Sequence, residues 1–272
     1  MPSFTTNDGV ALNFIDAGPG DADRPVVVLI AGYAAPAVSW AFTQDALVAE
    51  GYRVIAFDRR SAGDSETPSF GQRMSRHGKD LEELLVTLGL TDCVLAGGSM
   101  GGSTIWAYAD LFGTARVRSI VTVDQTPKML NTADWANGFY GFTPENEGIL
   151  FAEGVPQTGR GRTIDASMPA VMRLAERLGG MPAMRQADAP ETIHLLKDHA
   201  VQDWRDVIDR LDVPFLMVAA SDSQLWPLAH ATDSAARNPL GRVAVIPNTG
   251  HAVNFDDPDA FNAELLNFLS SA

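Results

Sequence analysis

Short, unbroken apolar runs recur along the chain at 26–30 (VVVLI), 53–57 (RVIAF), 93–96 (CVLA), 119–123 (SIVTV), 215–219 (FLMVA) and 243–246 (VAVI). A strand covered on both faces carries such a run, because neither side of its pleat meets water. Other stretches, at 40–50, 74–88, 103–111 and 258–269, place apolar residues three and four apart and predict helices. Strand and helix alternate, which predicts an α/β fold with a mostly parallel sheet, helices on both faces and right-handed crossovers. The segment 5–15, with Asp8-Gly9 near its centre, predicts an antiparallel hairpin at the sheet edge.

The interval 128–212 breaks this rhythm. It is too long for one crossover helix, holds a Gly-rich stretch at 154–161, and scatters Trp135, Phe139, Tyr140, Phe142, Met168, Met172, Met181 and Met184 through it. The expected organisation is a core from residues 1–127, an inserted helical cap over 128–212, and the rest of the core at 213–272. No internal repeat or low-complexity tract interrupts it.

The 272 residues hold 20 Lys+Arg against 34 Asp+Glu, a net charge of −14. That balance disfavours nucleic acid or an anionic membrane as partner, since both need a basic surface. Cys93 is the one cysteine, so no intrachain disulfide forms, and its neighbours Val94 and Leu95 place it in a buried strand. The N-terminus MPSFTTNDGV lacks the basic and apolar regions of a secretory signal, and the longest apolar stretch, 26–38, is broken by Gly32 and Pro36. A soluble, cytoplasmic protein is expected, with its oligomeric state open, a homo-oligomer included. Metal-ligand spacings, a phosphate loop and a dinucleotide fingerprint are missing, so the expected partner is a small-molecule substrate and no cofactor.

The chemistry concentrates where strands end. Gly97-Gly98-Ser99-Met100-Gly101 matches G-x-S-x-G, with an apolar strand before it and a helical pattern after it. Such a turn lifts a serine out of the sheet in strained backbone, and small neighbours let it close. The helix that follows aims its positive end at developing negative charge. A serine needs a base, and His251, after the last strand and before the C-terminal helix, is the candidate. His77, His194, His199 and His230 fall in helical or insert segments and read as surface or packing residues. Trp135, Phe139 and Trp226, beside the predicted site or in the insert, are the candidate substrate-binding side chains; for each of the tryptophans, as for Trp40, core packing is the competing reading.

These marks, together with Ala31-Gly32-Tyr33 after a strand, 57–65 (FDRRSAGDS) and Gly250-His251, make nearly the whole chain outside the insert resemble the α/β-hydrolase superfamily. It is most similar in style to bacterial carboxylesterases and the cofactor-free haloperoxidase or perhydrolase group. The resemblance implies a Ser–His–acid triad of Ser99, His251 and an aspartate. The family's usual acid lies in a G-x-x-D-x-x-x-P stretch; here 220–227 reads ASDSQLWP, which puts Ser223 in the acid slot and Asp222 one residue early. Some members carry the acid after the preceding strand, where Asp124 stands. Asp124 is the favoured acid and Asp222 the alternative. The resemblance also implies an oxyanion hole from the backbone N–H groups of Tyr33 and Met100, and a mainly structural Asp58-Arg59-Arg60 loop, in which Ser61 replaces the usual glycine.

The implied activity is that of a serine hydrolase acting on a small, neutral or apolar ester, thioester or lactone through an acyl-enzyme. The same fold also supports perhydrolase or haloperoxidase chemistry, cofactor-free dioxygenation and, without catalysis, ligand sensing. The dioxygenase-like members tend to carry a histidine after the oxyanion-loop glycine, where this chain has Tyr33.

Overall fold

The computed structural model of the chain describes residues 1–182 and 190–271; Met184 lies outside them. Among the described residues eight strands form one sheet in the order β1-β2-β4-β3-β5-β6-β7-β8. β1 (Ser3–Thr5) and β2 (Ala11–Ala17) make the antiparallel hairpin at one edge, and β2 also runs antiparallel to β4 (Val54–Phe57). From β4 onward the sheet is parallel, through β3 (Val27–Ile30), β5 (Cys93–Gly98), β6 (Val117–Val123), β7 (Phe215–Ala220) and β8 (Gly241–Ile246).

The apolar runs behave as strands buried on both faces should. Alternate residues divide between two cores, one on each side of the sheet. Val28, Ile30, Ile55, Phe57, Cys93, Leu95, Ile120, Phe215 and Met217 face one core, which α2 (Met74–Thr87) and α3 (Met100–Phe112) close. Val27, Leu29, Val54, Ala56, Val94, Ala96, Val121, Leu216 and Val218 face the other, closed by α1 (Ala41–Ala49) and α9 (Pro258–Leu269). Cys93 is buried within the first of them, and burial pushes its thiol up to about 12, so it stays protonated and inert.

Between β6 and β7 the chain is helical only in its second half. The stretch 124–163 is irregular apart from one 3-10 turn, Pro144–Asn146, and folds onto its own aromatic knot of Phe139, Phe142 and Phe151. Then come α4 (Ile164–Leu178), α5 (Pro190–Ala200) and α6 (Arg205–Asp209). The aromatic knot, with Leu195, Leu196 and Trp204, joins the same core as α2 and α3. Two short helices near the C-terminal end, α7 (Ala229–Ala235) and α8 (Val253–Asp256), complete the fold. Among the described residues no helix is long and apolar enough to cross a membrane.

α3 begins three residues earlier than its apolar spacing predicts. Gly101 and Gly102 weaken the helical signal, but tight packing demands them. A Cβ on Gly101 would sit 2.2 Å from the Ile30 carbonyl oxygen, and one on Gly97 2.4 Å from the Gly101 carbonyl carbon. The first turn of the helix is thus pressed directly against strands β3 and β5.

Candidate active site

Parallel strands place their carboxyl ends along one rim, where ligands of open α/β sheets bind. β5, β6, β7 and β8 are neighbours, and the residues that follow them are Ser99, Asp124, the 221–227 turn and the loop to His251. Sequence separations of up to 152 positions (251 − 99) collapse onto this rim.

Ser99 is half-buried at the mouth of the turn, in left-handed backbone at φ 51°. Its amide donates to Val123 O at 2.8 Å, which ties the elbow to the end of β6. Gly32, in the loop after β3, lies so close that a Cβ there would be 3.1 Å from Ser99 Cβ and 3.7 Å from its Oγ. On the other side Trp40 packs under Gly98. Non-glycine residues hold φ > 0 at a cost and only where their surroundings enforce it. Asp124 is a second case, at φ 44°, its amide fixed to Val218 O at 2.7 Å.

Asp124 is fully buried, and its two oxygens are differently occupied. Oδ2 lies 2.7 Å from His251 Nδ1 and accepts from Ser223 Oγ at 2.7 Å. Oδ1 accepts from the Ala220 amide at 3.1 Å and faces His230 Nε2 at 3.6 Å, an electrostatic contact rather than a hydrogen bond. Burial works to raise the pKa of this carboxyl, but the imidazoles of His230 and His251 outweigh it and hold the group below the usual carboxylate range. A carboxylate on Nδ1 fixes the tautomer that carries hydrogen there and leaves Nε2 as the proton acceptor.

His251 is itself held by three further contacts. Its amide donates to Gln224 Oε1 at 2.8 Å, the preceding Gly250 amide donates to Asp256 Oδ2 at 2.7 Å, and the Trp226 ring meets the imidazole edge to face at 5.3 Å. The insert reaches the same loops. Thr158 Oγ1 donates to Gln224 O, the Arg162 amide to Asp222 O at 2.8 Å, and Arg162 Nη1 to Asn248 O at 3.0 Å.

The structure therefore brings Ser99, Asp124, His251 and Trp226 to one end of the sheet, with Met100 at the first position of α3 and Tyr33 next to Gly32. The Tyr33 hydroxyl donates to Thr192 Oγ1 at 3.0 Å, so α5 of the insert is tied to this loop. Asp222, the alternative acid, is exposed, and among the described residues its carboxylate accepts from the neighbouring Ser221 hydroxyl at 3.0 Å and does not meet His251. Trp135 and Phe139 take partners inside the insert: the Trp135 indole donates to Lys128 O at 2.9 Å beneath Arg205, and Phe139 meets Phe151 at 4.9 Å.

Three neighbours of Asp124 and His251 escaped the sequence reading. Ser223 appeared only as a missing acid, although the position that usually holds the carboxylate is the one that now reaches it. His230 passed as a packing residue, and its spacing of four from Trp226 was the signal that both share one face of a turn. Gln224 carried no signal at all. Of the remaining histidines, His77 and His199 are buried beside Arg59, with His77 Nδ1 3.0 Å from Arg59 Nη1. Burial first, then Arg59, pushes the His77 pKa well below normal and that of His199 down to about 3.

These two imidazoles make stability pH-dependent with a definite sign. Unfolded, each titrates near its ordinary value of about 6.5. Above that pH neither state binds the protons; below it the unfolded chain takes up protons that the fold refuses. Stability is therefore expected to fall as pH drops below about 6.5, by up to about 1.4 kcal/mol per pH unit for each histidine. Urea midpoints at pH 7.5, 6.5 and 5.5 measure it, and equal midpoints at all three would show that the two rings are not held neutral.

Known proteins place this arrangement in a family. Residues 25–258 match the alpha/beta hydrolase fold model. The chain is 30% identical to a non-heme chloroperoxidase of Kitasatospora aureofaciens, over 99% of this chain and 100% of that protein. It is 29% identical to a non-heme haloperoxidase of Rhodococcus erythropolis, with both chains covered completely. Its fold superposes on the crystal structure of a bromoperoxidase from Bacillus anthracis with a TM-score of 0.78 at 25% identity, covering 96% of each chain. Sheet order, serine elbow and sequence agree: the chain belongs to the α/β-hydrolase fold family.

Proposed function

We propose that the protein is a serine hydrolase that cleaves small, neutral or apolar esters, thioesters or lactones through an acyl-enzyme. The observation that carries this reading is the 2.7 Å contact between His251 Nδ1 and a buried Asp124 carboxylate, on the same rim as a strained Ser99. Ser99 Oγ attacks the acyl carbon while His251 Nε2 takes its proton. The tetrahedral intermediate collapses as the leaving alkoxide receives that proton, and water, activated by the same imidazole, then releases the acid. Asp124 stays ionised throughout and stabilises the imidazolium. The N–H groups of Met100 and Tyr33 receive the oxyanion, each donor contributing about 3 kcal/mol.

The insert 128–212 acts as a cap in this reading, since Thr158, Arg162 and Thr192 bind the loops that carry Gln224, His251 and Tyr33. Trp226, fully buried against the imidazoles of His230 and His251, fixes the ring of the base by packing rather than lining an open wall. Ser223 supports the acid: Ser223→Ala is expected to lower kcat about tenfold with little change in KM, the cost of one buried hydrogen bond to a charged oxygen. Equal kcat in the variant would leave Ser223 with packing alone.

A second reading is favoured by the full-length similarity to non-heme haloperoxidases. Hydrogen peroxide, rather than water, would attack the acyl-enzyme and release a peracid, which oxidises halide in solution. A screen of p-nitrophenyl esters, lactones and acetate with peroxide and bromide, on wild type beside Ser99→Ala, separates the two. Serine-dependent ester turnover with weak bromide oxidation supports hydrolysis; the reverse ratio supports perhydrolysis, and turnover surviving in Ser99→Ala removes both.

A further inference from the structure

Behind the loop that follows β3, Arg59 is completely buried. A guanidinium in such a place normally meets a carboxylate. Here Nε donates to Ala31 O at 2.9 Å, Nη2 to Gly32 O at 2.6 Å, and Nη1 lies 3.0 Å from His77 Nδ1. The neighbouring Arg60 shows the ordinary solution, a two-point pair with Asp80 at 2.9 Å. Arg59 instead spends its fork on the two peptide carbonyls that lead into Tyr33.

The direction of those carbonyls has a consequence for the amide. The Gly32–Tyr33 peptide is planar and trans, so its C=O and its N–H point opposite ways. Gly32 O is held towards Arg59, with a longer 3.4 Å contact from the Ala35 amide closing the turn. The Tyr33 N–H is therefore turned away from Arg59. Gly32 itself abuts Ser99, so the amide that follows it lies beside the serine. A positive charge on the carbonyl oxygen also polarises the peptide and strengthens its N–H as a donor, as hydrogen bonds in a chain do. Burial works against the Arg59 charge, and nearby Tyr33 and Asp80 offset part of that cost.

We infer that Arg59 is a positioning residue for the oxyanion hole: by holding and polarising the Ala31–Gly32–Tyr33 backbone, it orients the Tyr33 N–H towards the oxyanion formed on the Ser99 adduct. This rests on the serine-hydrolase reading above. His77 is the second support, since its neutral Nδ1 accepts from Nη1 and fixes the rotation of the fork. Neither side chain touches substrate. Their effect appears in the transition state, where the oxyanion exists, and not in substrate binding.

The test uses p-nitrophenyl acetate kinetics and the carbonyl stretch of the acetyl-enzyme by infrared difference spectroscopy, on wild type, Arg59→Lys and His77→Gln. A fluorophosphonate probe on wild type comes first. If it fails to label Ser99, the serine-hydrolase reading falls and this inference with it. If Ser99 labels, Arg59→Lys is expected to lose about 10- to 100-fold in kcat, since a weakened donor costs less than a deleted one, with KM within about twofold. Its acetyl-enzyme carbonyl should absorb at higher wavenumber than wild type, because a weaker hydrogen bond leaves the C=O bond stronger. His77→Gln, which keeps the guanidinium, should show the same two changes in smaller measure and serves if Arg59→Lys does not fold. Unchanged kcat and carbonyl frequency in a folded variant, or a loss carried by KM alone, would overturn the inference.

Discussion

Alanine at Ser99 or at His251 is expected to lower kcat on p-nitrophenyl acetate by about 10⁵- to 10⁶-fold, and the double variant should be no worse than either single one. The two groups act as a unit: without the base the hydroxyl is not a nucleophile, and without the hydroxyl the base has nothing to deprotonate. Folding should survive both changes. Ser99 and His251 are only partly buried, and the contacts that hold their backbones run through the Ser99 amide to Val123 O and the His251 amide to Gln224 Oε1, which alanine keeps. Thermal unfolding of Ser99→Ala should therefore stay within a few degrees of wild type, and that of His251→Ala, which takes a partner from the buried Asp124 carboxylate, should come at lower temperature but remain cooperative. Residual activity within tenfold of wild type in Ser99→Ala would remove the nucleophile assignment.

Asp124→Asn is expected to cut kcat by about 10³- to 10⁴-fold, because an amide in place of the carboxylate favours the wrong imidazole tautomer and cannot stabilise imidazolium. Asp222→Asn should leave activity near wild type, since its side chain is exposed and, among the described residues, accepts from the Ser221 hydroxyl. The geometry supplies a sharper version. Ser223 Oγ is 2.7 Å from the oxygen of Asp124 that meets His251. A carboxylate introduced as Ser223→Asp in the Asp124→Asn background would stand where most of the superfamily keeps its acid, and should recover at least tenfold of the lost kcat. In the wild-type background the same substitution would set two buried carboxylates together and should be harmful. A crippled Asp222→Asn beside a mild Asp124→Asn would reverse the assignment.

How far the chain could be read before its structure follows from the range of each signal. The parallel strands were legible because each apolar run is a local consequence of burial on both faces, as Val27–Ile30 and Phe215–Ala220 show. The elbow was legible because its glycines answer to contacts within one turn and with the adjacent strand. The carboxylate that meets His251 was half legible: counting back from Pro227 exposed a serine in the slot where the family usually has its acid and turned attention to Asp124. The insert resisted, since its first half is held by packing among Phe139, Phe142 and Phe151 rather than by any period. His230 resisted for another reason: its partner Asp124 lies 106 positions (230 − 124) away, and nothing local marks an imidazole as aimed at a carboxylate. Arg59 was legible as a structural residue of its loop, and its bonds to Ala31 O and Gly32 O hold the neighbouring turn.

The central claim is that Ser99 carries the acyl group while His251 and Asp124 move and steady the proton. Rapid quench of the enzyme with excess p-nitrophenyl acetate, followed by peptide mass mapping, tests it most directly. The account predicts a stoichiometric burst of nitrophenol and one acetyl group, on Ser99, which accumulates further in His251→Ala if any forms there and is absent in Ser99→Ala. Ester turnover at the wild-type rate with no acetyl group on Ser99, or with the acetyl group on another residue, would contradict it.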